Sequence, residues 1–565
     1  MSRQRPRVLA RAPGQPQALP ASLHPVLRRV YAARGLAPEQ LALDAARLQA
    51  PTALKQIDTA SALLADAIVA QTPIVISGDY DADGATGVAV AVCGLRALGA
   101  GAVHYVVPDR FRMGYGLSPA LAELAARSGA QLLITVDAGI SSLEGVAHAQ
   151  RLGLKVIVTD HHLPGSVLPS AEAIVNPNQP GCGFASKHLA GVGVMFYLLL
   201  ATRAQLRAQN WFATRSEPNL AELLDLVAIG TVADVVRLDH NNRILVAQGL
   251  ARIRAGRARP GVQALLQVAG RSAERLSATD LGFVLGPRIN AAGRLEDIRS
   301  GIDCLLAADL QSALPMAQEL ERYNRERRAI ETDMRETAEL MIEDSDAAGI
   351  CLFDESWHEG VVGLVASRIK ERLHRPTFAF ARAQEAGVLK GSGRSIAGLH
   401  LRDALAAIDA QAPGLILRYG GHAMAAGLSL AEARYEQFAQ SFAALCAQWL
   451  DEDALQLQVH TDGELRGEEF SLDTARALEQ GGPWGQGFPE PLFEGRFEVQ
   501  SLRVLKELHV KYRLRSADGQ SIEAMHFNGI EQLRERGSLH ATYRLAINRW
   551  QGSESLELQL LDVLD

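Results

Sequence analysis

Short apolar, β-branched runs alternate with helical patterns from about residue 73 of the chain. Runs that favour strands cover residues 73–77, 103–107, 132–136 and 156–159, and segments with alanine and leucine at helical spacing lie between them. Strands that alternate with helices of this length are typical of βαβ units and a mainly parallel sheet. A second alternation of the same kind runs from residue 350 to about 450. The pattern therefore predicts two α/β domains.

A highly charged helical segment separates these two domains. From residue 315 onwards, apolar side chains recur at intervals of three, four or seven residues, which predicts one long helix with a narrow apolar seam. Glycine-rich turns are expected at 391–393 and 420–421 in the second domain. After a segment rich in glycine and proline at 481–491, short alternating runs predict an antiparallel β-barrel.

At 565 residues the chain is too long for a single hydrophobic core. The predicted fold class is α/β, with a parallel-sheet domain, a long helix, a second α/β domain and a C-terminal β-barrel. The predicted boundaries are 1–50 for an N-terminal extension, 51–314 for the first α/β domain, 315–345 for the connecting helix, 346–452 for the second α/β domain and 453–565 for the barrel.

Composition narrows the class of protein. Hydrophobic residues make up 48% and charged residues 21%, which is ordinary for a soluble globular protein. The net charge of −7 gives no global argument for nucleic acid, although an acidic pocket beside a basic groove would be hidden in that sum. Five scattered cysteines without a C-x-x-C pair argue against disulfides and zinc, and they favour the reducing cytoplasm. No signal-peptide core and no run of membrane-spanning length is present, so no membrane association is expected.

Four polar clusters follow short apolar runs, as residues at the carboxyl ends of buried strands do. Carboxyl ends of parallel strands meet at one edge of a sheet, so these side chains are expected to close one site, although residues 221–236 also have a helical pattern. Carboxylate and imidazole groups are ligands for Mg²⁺ or Mn²⁺, and paired divalent ions commonly cleave phosphodiesters. The sequence thus predicts a metal-dependent phosphoesterase. The clusters are Asp79, Asp81 and Asp83; Asp137; Asp160, His161 and His162; and Asp234.

Each cluster also has a structural interpretation. An Asp-x-Asp-Gly turn often only caps a helix, and a single histidine is more often structural than a metal ligand. Four such clusters at one sheet edge favour the metal site over four separate structural roles.

The motifs GDYDADGATG, VDAG, DHH and GTVAD together resemble the DHH phosphoesterase superfamily. Later segments are similar to one family within it, the bacterial single-strand-specific 5′→3′ DNA exonucleases: GPRINAAGR, SWHEGVVGLVASRI, GSGRS, GGHAMAAGL and GPWGQGFPEPLF. The resemblance covers residue 50 to the end, and it implies a DHH domain, a DHHA1 substrate-binding domain and an OB-fold barrel.

The resemblance also implies roles for individual residues. Asp137 would bridge two Mn²⁺ or Mg²⁺ ions, and Asp160 would orient the histidines. His162 would lie in the coordination sphere of an ion or next to it and take part in catalysis. Ser77 stands where smaller relatives carry a metal-binding histidine. The implied metal ligands are Asp81, Asp83, Asp137, His161 and Asp234, with Asp79 beside them.

Further residues would contact the substrate. His422 would approach the scissile phosphate, Arg288 would contact another phosphate, and Gly420 and Gly421 would permit close backbone approach. A pocket for the 5′-terminal phosphate is implied at Arg110, Ser392 and Arg394, and stacking on bases at Tyr115, Trp357 and His358. The structural alternatives are salt bridges for the arginines and core positions for the aromatic residues. A basic strand in the barrel fits either nucleic acid or a solvated face: Lys506, His509, Lys511, Arg513 and Arg515.

The leading hypothesis is a cytoplasmic, monomeric 5′→3′ exonuclease that releases mononucleotides from single-stranded DNA in recombination and mismatch repair. The resemblance implies a single-strand binding protein and a repair helicase as partners. One alternative is a DHH phosphatase or oligoribonuclease acting on short nucleotides, which would need neither barrel nor long helix. The other is a non-catalytic scaffold that binds single strands, which the retained metal ligands disfavour.

Overall fold

The computed structural model describes residues 5–110, 113–342, 346–535 and 537–564. These residues form two compact units. The central unit comprises Glu39–Glu326 and Gly482–Glu490, and the terminal unit comprises Met1–Pro38, Arg327–Gly481 and Pro491–Asp565.

The strands are β1 (Arg7–Ala10), β2 (Ile74–Ser77), β3 (Val103–Val106), β4 (Leu132–Val136), β5 (Lys155–Thr159), β6 (Ala173–Val175), β7 (Ile350–Phe353), β8 (Thr377–Arg382), β9 (Val388–Arg394), β10 (Arg418–Gly421), β11 (Ala425–Ala431), β12 (Gln458–Thr461), β13 (Phe493–Leu505), β14 (His509–Ser516), β15 (Ser521–His526), β16 (Ser538–Trp550) and β17 (Ser553–Val563).

The helices are α1 (Pro25–Ala33), α2 (Ile57–Val69), α3 (Ala82–Leu98), α4 (Pro119–Arg127), α5 (Leu143–Arg151), α6 (Gly191–Ala208), α7 (Leu224–Ala233), α8 (His240–Arg254), α9 (Pro260–Val268), α10 (Ala278–Asp280), α11 (Gly286–Leu295), α12 (Arg299–Leu306), α13 (Leu310–Met341), α14 (Val362–Leu373), α15 (Leu401–Gln411), α16 (Tyr435–Trp449), α17 (Glu452–Leu455) and α18 (Leu472–Gln480). A π-helical turn, Leu281–Leu285, precedes α11.

The central unit is built on a five-stranded sheet in the order β3-β2-β4-β5-β6, and every neighbouring pair is parallel. All residues of β2 and β4 are buried, because helices cover both faces of the sheet. Leu121 of α4 and Val146 of α5 pack with Val75 and Leu133 on one face. The βαβ prediction for this region is confirmed. Because β2, β4 and β5 are parallel, their carboxyl ends lie at the same edge of the sheet.

The sheet of the terminal unit has the order β10-β11-β9-β8-β7, in which only β7 and β8 are parallel. The expected turns at 391–393 and 420–421 are wrong, since these glycines lie within β9 and β10. A Cβ on Gly391 would lie 2.3 Å from the Phe380 ring, and one on Gly393 would lie 2.4 Å from the Phe378 ring. The glycines therefore make room for aromatic side chains on the neighbouring strand.

The C-terminal strands close a barrel in the order β13-β14-β15-β17-β16. Its β15 and β17 are parallel, which corrects the expectation of a wholly antiparallel barrel. The long helix α13 has 32 residues and begins at Leu310, ahead of the predicted start at 315. Its predicted end at 343–345 lies outside the described residues. No helix in the described ranges is both long and apolar enough to cross a membrane.

The N-terminal residues belong to the terminal unit. Strand β1 pairs in parallel with β12, and Arg34, just after α1, donates to both carboxylate oxygens of Asp462 at 2.6 and 3.0 Å. The side chains of Arg34 and Asp462 are only 4% and 1% exposed, so both charges are withdrawn from water.

We expect Arg34→Ala to lower the free energy of unfolding of the terminal unit by about 3 kcal/mol, because the buried Asp462 carboxylate would lose its two direct bonds from Arg34 and keep as its cation the more distant Arg11, whose Nε lies 3.8 Å away. Arg29→Ala is the matched control. It removes a more exposed pair with Glu469 at 2.9 Å, and its loss should be about 1 kcal/mol or less. Urea unfolding of the full chain measures both. Equal losses would contradict the distinction.

Candidate metal centre

Three polar loops leave the carboxyl edge of the central sheet. Asp79 and Asp81 follow β2, Asp137 follows β4, and the Asp160-His161-His162 run follows β5. The fourth cluster corrects our expectation, because Asp234 ends helix α7 rather than a strand. Its backbone N–H donates to Gly230 O at 2.9 Å, as at an ordinary helix end.

The ligand atoms at this edge form adjoining groups, in each of which three atoms lie within 4.8 Å of one another. His161 Nε2 is 3.0 Å from Asp137 Oδ1, 3.5 Å from Asp234 Oδ2 and 4.0 Å from Asp83 Oδ2. Asp137 takes part in two groups, so it stands between two candidate ion positions. The groups are Asp79, Asp81 and Asp137; Asp83, His161 and Asp234; and Asp137, His161 and His162.

Two carboxylate oxygen atoms of this cluster have the environment expected of metal ligands. Asp79 Oδ1 and Asp137 Oδ1 are buried and accept no hydrogen bond from the described residues. A buried carboxylate oxygen without a donor is strongly unfavourable. Hard divalent cations bind such oxygens together with imidazole nitrogen, so the donor set suits Mg²⁺ or Mn²⁺.

Asp83 is fixed by the start of helix α6. Its carboxylate accepts from the backbone N–H groups of Gly191 at 2.6 Å and Val192 at 2.9 Å, where the helix dipole favours a negative charge. A Cβ on Gly191 would lie 2.4 Å from the Cβ of Asp137, so only glycine lets the helix approach both aspartates. The sequence contained no local signal for this role of Gly191.

Asp160 holds the two histidines, as the resemblance implied. Its Oδ1 accepts from His161 N, His162 N and His162 Nδ1 at 2.7, 3.0 and 2.7 Å, and its Oδ2 accepts from Ile140 N at 2.9 Å. Burial alone would raise the pKa of Asp160, but the bond and charge of His162 outweigh it and lower the pKa. Burial likewise opposes charge on His162, and Asp160 outweighs burial and raises the pKa of His162.

Four other aspartates of the centre show the opposite shift. Burial, followed by repulsion from neighbouring carboxylates, raises the pKa of Asp79, Asp137 and Asp234 well above the usual range. The same causes raise the pKa of Asp83 to about 7. A divalent cation would relieve this repulsion directly.

Helix α11 anchors the loop that carries the first aspartates. The Asn290 side chain accepts from Ala82 N at 2.8 Å, and a Cβ on Gly293 would lie 2.0 Å from Tyr80 O. Sequence reasoning singled out only Arg288 in this helix. Arg288 is buried, its Nε lies 2.7 Å from Glu321 and its guanidinium donates to Val284 O at 2.6 Å, which is the salt-bridge alternative.

Tyr115 lies at the rim of the centre. Its hydroxyl donates to Asp137 O at 3.0 Å and contacts His162 Nδ1 at 3.0 Å, while its ring meets Tyr80 edge to face. The Arg110 guanidinium stands 4.8 Å from the centre of the Tyr80 ring. The structure therefore places Tyr115 beside Asp137 and His162, and Arg110 beside Tyr80.

The terminal unit brings two of its predicted residues, Ser392 and Arg394, together. Arg394 donates to Ser392 Oγ at 3.1 Å on strand β9, and a Cβ on Gly363, near the start of α14, would lie 3.0 Å from the Arg394 guanidinium. A helix start beside serine and arginine suits an anionic group. His422 is exposed at the end of β10, after Gly421, whose φ of +137° only glycine adopts readily.

Other predicted contacts are less accessible. Trp357 is 5% exposed and lies in the core, which corrects the prediction of a base-stacking ring. His358 is half-buried, and its Nδ1 accepts from Gly360 N at 3.1 Å. On the barrel, Lys511 and Arg513 both pair with Glu523, at 3.3 and 3.1 Å, as a solvated face would.

Three family models match the chain. "DHH family, N-terminal domain" covers residues 73–231, "DHHA1 domain" covers 346–450 and "RecJ OB domain" covers 461–562. They confirm the predicted combination of a DHH domain, a DHHA1 domain and an OB-fold barrel.

Similar proteins extend over nearly the whole chain. The single-stranded-DNA-specific exonuclease RecJ of Dickeya dadantii is 51% identical over 97% of this chain and 98% of its own length. RecJ of Escherichia coli is 50% identical over 96% of each. The crystal structure of Thermus thermophilus RecJ in complex with Mn²⁺ has a TM-score of 0.83 and 33% identity, covering 99% of this chain and 79% of that chain. The Mg²⁺ complex gives a TM-score of 0.78 at 32% identity, with 99% and 78% covered.

The pKa of Asp83 predicts opposite pH trends for the metal-free and metal-bound protein. An unfolded aspartate ionises near pH 4, whereas folded Asp83 stays protonated until about pH 7. The folded, metal-free chain therefore binds more protons across this window, so this group's contribution to stability is lost as pH rises towards 7. Mn²⁺ must displace the proton, so its stabilising effect should grow over the same window.

Thermal unfolding between about pH 5 and pH 8, with and without Mn²⁺, measures both trends. The Asp83→Asn variant, which cannot titrate at this position, is the control. A metal-free slope identical in the two proteins would contradict the assignment.

Proposed function

The chain belongs to the RecJ family of single-stranded-DNA-specific exonucleases, and we propose that it removes mononucleotides from the 5′ end of single-stranded DNA with two Mn²⁺ or Mg²⁺ ions. The observation that carries the proposal is a pair of adjoining ligand groups, one containing Asp137 and the other His161, whose Oδ1 and Nε2 atoms lie 3.0 Å apart. When bound, two such ions supply Lewis-acid stabilisation to the phosphate under attack and to the leaving oxygen.

Two of the chain's ligand groups would hold one ion each. Asp79, Asp81 and Asp137 supply three carboxylates without any contribution from Ser77, the position at which the resemblance implies a histidine in smaller relatives. Asp83, His161 and Asp234 supply the second group. Asp137 Oδ1 lies only 3.0 Å from His161 Nε2, which supports its role as the shared ligand.

Other side chains would position these ligands and the substrate. Asp160 contacts Nδ1 of the His162 ring at 2.7 Å, and the Tyr115 hydroxyl contacts the same nitrogen at 3.0 Å. His162, with its raised pKa, would hold a proton near the scissile phosphate. Arg288 would contact DNA only if it exchanged Glu321 for a phosphate.

Selection of the 5′ end would come from a pocket for the terminal phosphate. Ser392 and Arg394 lie together beside the start of α14 in the terminal unit. In the central unit, we assign a separate phosphate contact to Arg110, which stands over Tyr80. Arginine and a helix start both favour phosphate. We assign Gly420 and Gly421 of β10, with the adjoining His422, to substrate binding on the same sheet as Ser392 and Arg394.

The biological setting stays as the sequence predicted it. We propose that the protein is a cytoplasmic monomer that acts in DNA repair and recombination with a single-strand binding protein and a helicase. The five cysteines are all free, which supports a reducing compartment.

We expect Asp137→Asn to reduce digestion of a single-stranded oligonucleotide by more than about 100-fold, because both ion positions would lose a carboxylate. The substrate carries a 5′ phosphate and a 3′ label, and a gel resolves the shortening products in Mn²⁺. Asp58→Asn, at an exposed position of α2, is the control and should retain full activity. Products that shorten from the 3′ end would overturn the proposed polarity, and binding without cleavage by the wild-type chain would favour a scaffold.

We expect Arg394→Ala to remove most of the preference for a 5′ phosphate over a 5′ hydroxyl, with a rise in KM of about 10–100-fold on the phosphorylated strand. The physical reason is the loss of a charge-assisted bond to the terminal phosphate. Arg382→Ala removes an exposed arginine from β8 of the same sheet and should leave the ratio unchanged. An unchanged ratio in Arg394→Ala would move the pocket elsewhere.

A further inference from the structure

The segment Gly482–Glu490, here called the aromatic loop, belongs to the central unit. Helix α18 before it and strand β13 after it belong to the terminal unit. The segment is part of the GPWGQGFPEPLF motif, to which neither the metal chemistry nor the DNA pocket assigns a role.

The aromatic loop folds onto itself. Gly485 and Phe488 exchange two backbone hydrogen bonds at 2.9 and 3.1 Å, and the rings of Trp484 and Phe488 stack with their centres 4.9 Å apart. Phe488 is 4% exposed. The loop therefore presents one compact aromatic face to the residues around it.

That face contacts the chain shortly after Asp234. Leu238 N donates to Gln486 O at 2.7 Å, and the Arg243 guanidinium stands 4.1 Å from the centre of the Phe488 ring. A Cβ on Gly487 would lie 2.3 Å from Arg237 Cγ, and one on Gly485 would lie 2.7 Å from Leu238 Cδ1. The two glycines allow the loop backbone to approach this turn closely.

The contacted turn, residues 234–239, joins α7 to α8 and starts at Asp234. Val235 has φ of +60° and is 63% exposed, so a β-branched residue holds a left-handed conformation with little packing of its own. Such conformations persist only where the surroundings fix them. At the far end of the turn, Asp239 caps α8 by accepting from Asn242 N at 3.0 Å, and the aromatic loop holds Leu238 between these points.

We propose that the aromatic loop is a positioning element for Asp234, which it holds in place through the strained turn at Val235. The inference rests on the proposed role of Asp234 as a metal ligand. It means that residues far along the chain from every ligand set the geometry of the second ion position. Phe488 and Gly487 act through the Leu238 backbone and belong to neither candidate ligand group.

The test compares Phe488→Ala with Trp211→Ala in the full chain. Trp211 is a half-buried aromatic of the central unit that also stacks under an arginine, Arg215 at 3.5 Å, and it donates to Leu98 O at the end of α3 opposite the metal centre. Calorimetric titration measures Mn²⁺ affinity, and hydrogen exchange of the metal-free protein measures protection of the Leu238 amide. We expect Phe488→Ala to weaken Mn²⁺ binding about tenfold and to expose the Leu238 amide, whereas Trp211→Ala does neither.

The strained backbone at Val235 allows a second test, whose expected result differs from that of a general loss of stability. Val235→Gly removes the strain, so in that background Phe488→Ala should weaken Mn²⁺ binding less than about twofold. If Phe488→Ala does not fold, Gly487→Ala replaces it, since the added methyl group displaces the loop from Arg237.

Three outcomes would overturn the inference: unchanged Mn²⁺ affinity in the folded loop variants, an equal loss in Trp211→Ala, or an equal loss in the Val235→Gly background. Asp234→Asn is measured in parallel. If it leaves Mn²⁺ affinity unchanged, the ligand assignment fails and the inference fails with it. If it weakens binding while the loop variants do not, the inference alone fails.

Discussion

Repulsion between carboxylates that are withdrawn from water is the interaction that the central unit has to accommodate. Four aspartates approach one another at the end of the sheet, and each has a raised pKa because burial and its neighbours both oppose ionisation. Isolated charges would not persist in such a place. The arrangement is favourable only with protons or divalent cations bound, so metal binding and the stability of this edge are linked. The aspartates are Asp79, Asp83, Asp137 and Asp234.

Backbone N–H groups also stabilise the negative charge of two aspartates, Asp83 and Asp160. Two N–H groups at the start of α6 donate hydrogen bonds to Asp83. The Asp160 carboxylate accepts bonds from the backbone of its own loop and from His162. These donors are fixed before any ion arrives, so they orient the ligands at no further entropic cost. Gly191 makes the arrangement possible, because a side chain there would occupy the space of Asp137.

The sequence predicted the first three ligand loops well, since alternating strands and helices determine at which sheet edge each loop emerges. It misplaced Asp234, because a short apolar run before a polar residue is common to buried strands and to helix ends. The glycines of β9 were misassigned as turns because the rings they accommodate belong to another strand. The partners of Gly191 and of the aromatic loop could not be found locally, as each contact joins residues that are distant in the chain.

The pairing of β1 with β12 has a consequence for synthesis of the chain on the ribosome. Gln458, the partner of Arg7, is 451 residues further along the chain, so the first strand waits on the order of 20–90 s for its partner to be translated. During that interval the whole of Glu39–Glu326 emerges as one continuous segment. Its sheet can form first, while the open edges of β1 are available to chaperones or to other nascent chains.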